Sequence, residues 1–514
     1  MEWTNRRVIV SAILAVVVAV AILLAILLAG GEQEEVLDPE VQPEVKVVSE
    51  GTTETVDNAE SVEAMTPLIY EAEEAKLIGT QAESQAAGFS GTGYVTGFDE
   101  EGDALQFTVQ VASDGLYQVS VGFRAPYGDK TMILQLNDEP AGELSIKQSE
   151  AFAEIPASKL QLAAGEHTIG ILKGWGWYEI DYIKIESAAA TKAHQVTKAL
   201  SDPQATIEAK RLMSYLVDQY GKAILSGQQE FKNLGWMEQN IGKKPAIIGF
   251  DLIDYSPTRT EYGAKSTEID KAIIWHNAGG IVTFAWHWNS PTGVINEPGK
   301  EWWRAFYTEF TTFDLEETLK HPDSDDYRAM ISDIDVIADE LKKLQEAEVP
   351  VLFRPLHEAE GGWFWWGAKG PEPAKALYRI VYDRIVNHHQ IHNLIWVWNS
   401  VDPEWYPGDE IVDIVSYDSY PQIEADYGPV SNKFDSLTEL VGGRKLVAMS
   451  ENGEIPDPDL LIDYRADWSW FCTWDGDFLR GGKKNTLEHL KKVYHHEYVI
   501  TLDELPDLSS YDVD

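Results

Sequence analysis

The second half of the chain alternates apolar strands with helical stretches, and this alternation constrains the fold more than any other feature. Eight short apolar runs follow residue 206, and most of them end in a polar or aromatic cluster: 223–230, 246–252, 281–288, 349–358, 394–400, 412–420, 445–453 and 467–474. Near-continuous apolar strands joined by helical crossovers are typical of a parallel barrel. We therefore predict a (β/α)8 TIM barrel over residues 206–503, with its chemistry where the strands end.

Two glutamates occupy strand ends that face each other across such a barrel. Glu358 ends the fourth run, before the aromatic segment GGWFWWG, and Glu451 ends the seventh run in MSENG. Glycoside hydrolysis needs two carboxyl groups flanking the bond, about 5–5.5 Å apart in retaining enzymes. We predict that Glu451 is the nucleophile and Glu358 the general acid/base, with a pKa raised by burial and by the Glu451 charge. Perturbed carboxylates also occur in structural networks, so local composition leaves that alternative open.

These two motifs resemble glycoside hydrolase family 26, whose members are mostly endo-β-1,4-mannanases, over about residues 206–498. The resemblance implies that His357 and Trp363 line the sugar subsite at the cleavage point and that Tyr420 hydrogen-bonds the nucleophile. It also implies that His287, on the third strand, contacts the substrate and that Trp474, on the eighth, is an aromatic platform for the sugar. Two charged residues, Arg354 and Asp418, complete the predicted site. Arg354 either orients the nucleophile or is only a buried salt-bridge partner.

The implied function is retaining hydrolysis of internal β-1,4-mannosidic bonds in mannan, glucomannan or galactomannan, without a catalytic cofactor. Some members of the family cleave mixed-linkage β-glucan or xylan instead, so the same mechanism on those polymers is one alternative. Asn452 stands where many relatives have a small residue or threonine after the nucleophile. An alternative of another class is a non-catalytic surface protein that binds polysaccharide.

Residues 68–187 show a different pattern, in which short alternating strands are separated by turns rich in Gly, Asp and Asn. That pattern predicts an all-β sandwich. The segments at 69–77, 91–98 and 177–186 resemble the jelly-roll-like carbohydrate-binding modules of families 35 and 6. The resemblance implies a structural calcium ion that is bound by Glu71, Glu73 and Asp181. It also implies a sugar-binding platform formed by Trp175, Trp177 and Tyr178. The alternative for the three acidic residues is that they are solvated charges at the edge of a sheet. The alternative for the aromatic residues is that one of the three belongs to the core.

The N-terminus contains a long apolar segment. Residues 8–30 are apolar or small except Ser11, and Arg6 and Arg7 precede them. This length can span a bilayer, and the flanking charge would leave the bulk of the chain outside the cell. We predict a transmembrane anchor over residues 1–31 and therefore a cell-surface protein, with a cleaved signal and secretion as the alternative. Residues 32–67 and 188–205 are predicted linkers, the first acidic and flexible, and residues 504–514 an acidic tail.

The charge balance narrows the class of partner. The chain carries 85 acidic and 41 basic residues, a formal charge of −44. Nucleic-acid binding needs a basic surface, so we expect no nucleic-acid partner. A neutral β-mannan-type polysaccharide and, through the N-terminal helix, a membrane are the predicted partners. The single cysteine, Cys472, excludes an intramolecular disulfide.

Overall fold

The computed structural model describes residues 66–188, 194–421 and 424–513, which contain a β-sandwich followed by a closed parallel barrel. These are the two fold types that the sequence predicted. Among these described residues no helix is long and apolar enough to cross a membrane. The predicted transmembrane helix falls in residues 1–31, outside the described part of the chain. The predicted fold class is corrected accordingly to a sandwich and a barrel, and the predicted membrane partner is likewise unsupported.

The sandwich consists of eleven antiparallel strands in two sheets. These are β1 (Leu68–Glu71), β2 (Lys76–Ile78), β3 (Gln81–Glu83), β4 (Tyr94–Thr96), β5 (Ala104–Val111), β6 (Gly115–Ala125), β7 (Lys130–Leu136), β8 (Glu139–Ile146), β9 (Ser149–Leu162), β10 (Gly165–Lys173) and β11 (Glu179–Ser187). One sheet has the order β3-β4-β11-β6-β9, with β1 paired to β11, and the other β2-β5-β10-β7-β8. In β5, Phe107 and Val109 are buried while Thr108 is exposed, because side chains alternate between the two faces.

The barrel closes through eight parallel strands, one in each predicted apolar run. They are β13 (Gly227–Gln229), β14 (Ile247–Asp251), β15 (Ile281–Trp286), β16 (Val351–Pro355), β17 (Leu394–Asn399), β18 (Ile414–Ser419), β19 (Leu446–Asn452) and β20 (Phe471–Thr473). Two short strands, β12 (Ile224–Leu225) and β21 (Val499–Ile500), pair in parallel beside the barrel. Because both of their faces are buried, β15 and β17 have almost continuously apolar sequences that do not alternate.

Helices cover the outside of the barrel. They are α1 (Ile207–Gln219), α2 (Leu234–Asn240), α3 (Pro257–Thr260), α4 (Glu268–Asn277), α5 (Leu315–Lys320), α6 (Asp325–Glu346), α7 (Pro371–Tyr382), α8 (Ser431–Leu440), α9 (Pro458–Tyr464), α10 (Asp477–Arg480) and α11 (Leu487–Tyr494). The longest, α6, buries Ile334, Ile337 and Leu341, whose spacing of three and four residues places them on one face. The Ser324 hydroxyl caps its first turn by accepting from the Tyr327 amide.

The sandwich lies against the barrel near the loops that follow the fifth and sixth barrel strands. Lys147 of the sandwich forms an ion pair with Asp402, which follows β17, with 3.0 Å between Nζ and Oδ2. Lys159 of β9 pairs with Asp435 of α8 at 2.7 Å. The Gln161 amide donates to the Tyr464 hydroxyl. These contacts place the outer edge of the sandwich beside the end of the barrel that carries the predicted site.

Candidate active site

The turn after β16 fixes the position of Glu358. Glu358 and Leu356 both have left-handed backbone conformations, with φ of 52° and 53°. This conformation is costly for residues with a side chain, and such strain concentrates at functional sites. Asn399 at the end of β17 stabilises the turn, because its Oδ1 accepts from the Glu358 amide at 2.8 Å. The Glu358 carboxyl is held in turn by Trp363, whose Nε1 donates to Oε2 at 2.9 Å.

Burial and the neighbouring Glu451 carboxylate together raise the pKa of Glu358 to about 6, against the opposing effects of Arg354 and of the Trp363 hydrogen bond. Taking a carboxylate out of water disfavours its charged form, and a second negative charge nearby acts in the same direction. Glu358 is therefore protonated over the acidic range in which a general acid must hold its proton.

Glu451 lies at the end of β19, where two donors hold its carboxylate. Tyr420 Oη donates to Oε1 at 2.5 Å, and Arg354 Nη2 donates to Oε2 at 2.6 Å. Arg354 also donates through Nη1 to Asp418 at 2.5 Å. Both alternatives for Arg354 are thus combined in one side chain, since it is a buried salt-bridge partner and it also orients Glu451. Donors on both oxygens fix the direction of the carboxylate.

Three carboxyl groups converge in this site. One oxygen each from Glu358, Asp418 and Glu451 lie within 4.8 Å of one another. A separation this short between Glu358 and Glu451 fits the retaining geometry of about 5–5.5 Å and leaves no room for the water that inverting enzymes place across about 6.5–9.5 Å. The arrangement can therefore carry out a double displacement, with one carboxyl group protonated and the other ionised.

Residues 201–504 match the model of glycosyl hydrolase family 26, which is more than half of the chain, and residues 68–188 match the carbohydrate-binding module of family 35. The chain belongs to glycosyl hydrolase family 26. It is 45% identical to a mannan endo-1,4-β-mannosidase of Thermothelomyces thermophilus, over 88% of this chain and 93% of that protein. A mannan endo-1,4-β-mannosidase B of Piromyces sp is 35% identical over 86% of this chain and 78% of that protein.

Solved structures agree with this assignment. The crystal structure of a Podospora anserina GH26-CBM35 β-(1,4)-mannanase has a TM-score of 0.64 and 46% identity, and the match covers 86% of this chain and 99% of that one. The structure of a β-mannanase from a symbiotic protist of the termite Reticulitermes speratus has a TM-score of 0.56 and 32% identity, covering 62% of this chain and 100% of that one. The resemblance inferred from the sequence is confirmed, and this chain is a glycoside hydrolase.

Two histidines lie beside the carboxyl groups of the family 26 barrel. His287 Nε2 and His357 Nε2 are 3.1 Å apart, and His287 Nδ1 is 2.5 Å from Asp251 Oδ2. Burial would lower the pKa of His287, but the Asp251 carboxylate raises it overall. The pKa of His357 is lowered well below its usual value by burial and by the charges of Arg354 and His287. His287 therefore carries the proton that the pair shares, and neutral His357 accepts it.

The sequence did not single out Asp251 or Asn399 as functional residues. Asp251 ends β14 and fixes His287, while Asn399 bonds both Glu358 and Asp418, with 3.0 Å from Nδ2 to Asp418 Oδ1. Both residues lie at the end of a barrel strand, and this position was visible in the sequence. The position alone does not show which residue each of them bonds. Asn452, noted as a departure, uses its amide to bond the Glu454 carbonyl and the Thr473 hydroxyl, and so connects β19 to β20.

The aromatic residues divide between the cleft and the core. Trp363 is 49% exposed beside Glu358, and Trp474 lies half-buried with its ring 6.3 Å from that of His287. Trp365 and Trp366 are almost completely buried, and their indole nitrogens donate to the backbone carbonyls of Trp288 and His357. The structure thus brings all of the predicted barrel residues together: Glu358, Glu451, His357, Trp363, Tyr420, His287, Trp474, Arg354 and Asp418.

The family 35 module exposes only part of its predicted sugar platform. Trp175 is 67% exposed, whereas Tyr178 has no exposed surface, stacks on Phe98 and donates its hydroxyl to the Leu172 carbonyl. Tyr178 is therefore a core residue. Tyr127, which the sequence did not single out, is 74% exposed and its ring lies 5.4 Å from that of Trp177. The exposed aromatic surface consists of Trp175, Trp177 and Tyr127.

The three predicted calcium ligands surround one loop of the module. Ser90 donates its hydroxyl to Glu71 and its amide to Asp181, while the amides of Thr92 and Gly93 donate to Glu73 Oε1. The other oxygen of Glu73 is buried without a partner. Burial and the charges of Glu71 and Glu73 together raise the pKa of Asp181 to about 6, against the hydrogen bonds from Ser90. A bound cation would give the free Glu73 oxygen a partner and would stabilise the charged form of Asp181, so the residue types fit calcium. In this structure the carboxylate oxygens bond the loop and do not converge on one point.

Proposed function

We propose that this enzyme is a retaining endo-β-1,4-mannanase. The observation that carries the proposal is the pair Glu358 and Glu451, within 4.8 Å of each other, one with a raised pKa and the other held by Tyr420 and Arg354. Similarity to mannan endo-1,4-β-mannosidases over nearly the full length of both chains supports mannan as the substrate.

The reaction follows from the geometry in two steps. In the first, Glu451 attacks the anomeric carbon while Glu358 gives its proton to the leaving oxygen, so that a covalent glycosyl–enzyme forms. In the second, Glu358, now ionised, takes a proton from water, and that water displaces Glu451 with a second inversion. Arg354 and Tyr420 keep Glu451 directed at the carbon and stabilise it as it leaves.

The substrate and the stereochemistry can be tested together. We expect the purified enzyme to release reducing ends from β-mannan and glucomannan and to release less from mixed-linkage β-glucan and xylan. Proton NMR of the first products should show the β-anomer before mutarotation, because two inversions restore the configuration. An α-anomer first would reject Glu451 as nucleophile. Preference for glucan or xylan would replace the substrate, and no release from any β-glycan would support a purely binding protein.

The family 35 module is proposed to hold the same polysaccharide through its exposed aromatic surface of Trp175, Trp177 and Tyr127. Flat aromatic faces stack on the apolar faces of sugar rings, and their cost in conformational entropy is low. We further propose that the enzyme acts outside the cell, since a polymeric substrate of this kind is cleaved before its fragments can cross a membrane.

A structural calcium ion in the module is also proposed, held by Glu71, Glu73 and Asp181. In the full chain stripped of metal by a chelator, we expect added calcium to raise the unfolding temperature of the module by about 5 °C, because the ion binds only the folded state. Asp181→Asn should remove this shift, whereas Glu166→Gln, which alters an exposed carboxyl group elsewhere on the module, should keep it. Differential scanning calorimetry measures both. Absence of a shift in the unmodified chain would contradict the proposal.

A further inference from the structure

A cleft of about 480 Å³ separates the module from the barrel. Its module wall is built by β7 and β8 and includes Ile133, Glu143 and Ser145, and its barrel wall includes Tyr417, Tyr420 and Lys433. The volume is within the range of about 300–1,000 Å³ that small-molecule sites occupy. Neither the proposed mechanism nor the exposed aromatic surface of the module uses this space.

The cleft and the active site share the side chain of Tyr420. The same Tyr420 side chain lines the cleft and donates to the nucleophile Glu451 at 2.5 Å. Tyr420 is 38% exposed, so one part of the ring faces open space while its hydroxyl reaches Glu451. The cleft therefore lies within one side chain of the nucleophile.

The module wall is held rigidly in place. The outer face of the sheet that contains β5, β7 and β8 carries Ser145, which is exposed next to the buried Leu144 and Ile146. The ion pairs Lys147–Asp402 and Lys159–Asp435 anchor the module near this wall. Asn432 at the start of α8 donates to the Glu143 carbonyl at 3.3 Å. A wall fixed by contacts on both sides is preorganised for a ligand and needs little reordering on binding.

Lys433 is the one basic residue among the described residues that line the cleft. Its ammonium lies 5.5 Å from the centre of the Tyr417 ring. Burial lowers the pKa of Lys433, while Glu360 and Glu143 oppose that effect. The ammonium of this half-buried side chain can donate to a ligand hydroxyl.

The charge of the cleft selects the kind of ligand. Glu139 and Glu143 of the module and Asp426 of the barrel also line it, so carboxylates outnumber the single lysine. A polyanionic chain would be repelled, and the formal charge of −44 adds to that repulsion. Tyrosine rings beside carboxylates and one ammonium suit a neutral sugar, since the rings stack on its faces and the polar groups bond its hydroxyls.

We propose that this cleft is a sugar-binding subsite shared by the two domains, which takes neutral hexosyl units of the mannan-type chain adjoining the cleaved bond. Lys433 donates to sugar hydroxyls from the barrel side, and β8 forms the opposite wall from the module side. The module thereby takes part in productive binding next to the active site, in addition to holding polymer on its own aromatic surface. The inference rests on the proposed mannanase activity and extends it.

Two cleft variants and one matched control test this subsite in the full chain. Ser145→Trp should fill the cleft from the module side, and Lys433→Ala removes the donor from the barrel side. Thr108→Trp introduces the same bulk at an exposed position on the outer face of the same sheet, away from the cleft. We expect both cleft variants to lower kcat/KM for mannohexaose about tenfold, mainly through KM, the loss typical of one hydrogen bond from a charged donor. Hydrolysis of nitrophenyl β-mannobioside should change less than about twofold.

Calorimetric titration of mannohexaose into each variant combined with Glu451→Ala measures binding without turnover, so it decides on the subsite even if the proposed activity fails. Weaker binding by the cleft variants, with Thr108→Trp unchanged, supports the subsite. A parallel series with galactosyl-branched oligomers shows which part of the polysaccharide the cleft binds. Loss of affinity for linear chains would show that the cleft binds the mannan backbone. Loss of affinity for branched chains alone would show that it binds the galactosyl branches. Unchanged affinity for both kinds of chain, or equal loss in Thr108→Trp, would overturn the proposal.

Discussion

Replacing Glu451 by alanine is expected to lower kcat on β-mannan by about 10⁴–10⁶-fold, the range found when a covalent nucleophile is removed. The loss is large because no other carboxylate can take its place: Asp418 is bonded to Arg354, Asn399 and Ser450. The folded state should survive, since the change removes one of three acids around a single guanidinium. Initial rates of reducing-end release, together with circular dichroism, measure both effects.

A small external nucleophile distinguishes this role from any other. In Glu451→Ala, azide can occupy the space left by the carboxylate and attack an activated aryl β-mannoside directly, and a single displacement must give the α-mannosyl azide. Glu451→Gln is the matched variant, because it fills the space and should not be rescued. Turnover close to that of the unmodified enzyme, or a β-configured azide product, would show that Glu451 is not the nucleophile.

Replacing Glu358 by alanine is expected to lower kcat/KM on mannan by about 10²–10⁴-fold, the usual contribution of general acid–base catalysis. The loss should be much smaller for an aryl mannoside whose leaving group needs no proton. Azide should again restore turnover, but by attacking the glycosyl–enzyme, so its product should be the β-mannosyl azide. Opposite product configurations in the two alanine variants are the clearest assignment of the two roles.

The pH dependence provides an independent check on Glu358. Its pKa is raised to about 6, so the protonated fraction needed for the first step is lost as the pH rises through that value. In the unmodified enzyme, kcat/KM should fall about tenfold per pH unit above this range, and in Glu358→Ala this alkaline decline should disappear. A decline that persists unchanged would mean that another group supplies the proton. Trp363→Phe, which removes the hydrogen bond to the charged form, should raise the pKa further.

The strands and their polar ends were predictable because the local pattern of residues determines them. A parallel strand covered on both faces is usually a near-continuous apolar run, as in β15 and β17, and β13, which is Gly227-Gln228-Gln229, is an exception. Glu358 and Glu451 follow two of these runs, and the geometry of a closed barrel brings the ends of distant strands together. The transmembrane helix, by contrast, was inferred from one apolar segment alone, and no helix in the described residues supports it.

Side-chain direction and partners were not predictable in the same way. Trp175 and Tyr178 are three residues apart in an aromatic segment, yet one faces solvent and the other lies in the core. Arg354 is separated from Glu451 by 97 positions, and Asp251 from His287 by 36, so nothing local links either pair. These pairs form because the barrel brings the strand ends together, and the choice among neighbouring polar groups depends on distances that only the folded chain defines.

By itself the sequence determined the two kinds of domain and the two glutamates, since periodicity and short motifs are local properties of the chain. Only the tertiary structure decided how the glutamates differ. Burial and the neighbouring Glu451 raise the pKa of Glu358, whereas Tyr420 and Arg354 direct Glu451 at the substrate. The cleft between module and barrel also depends on contacts between separate domains. Electrostatic environment and shape arise from residues far apart in sequence, because both depend on distance in space.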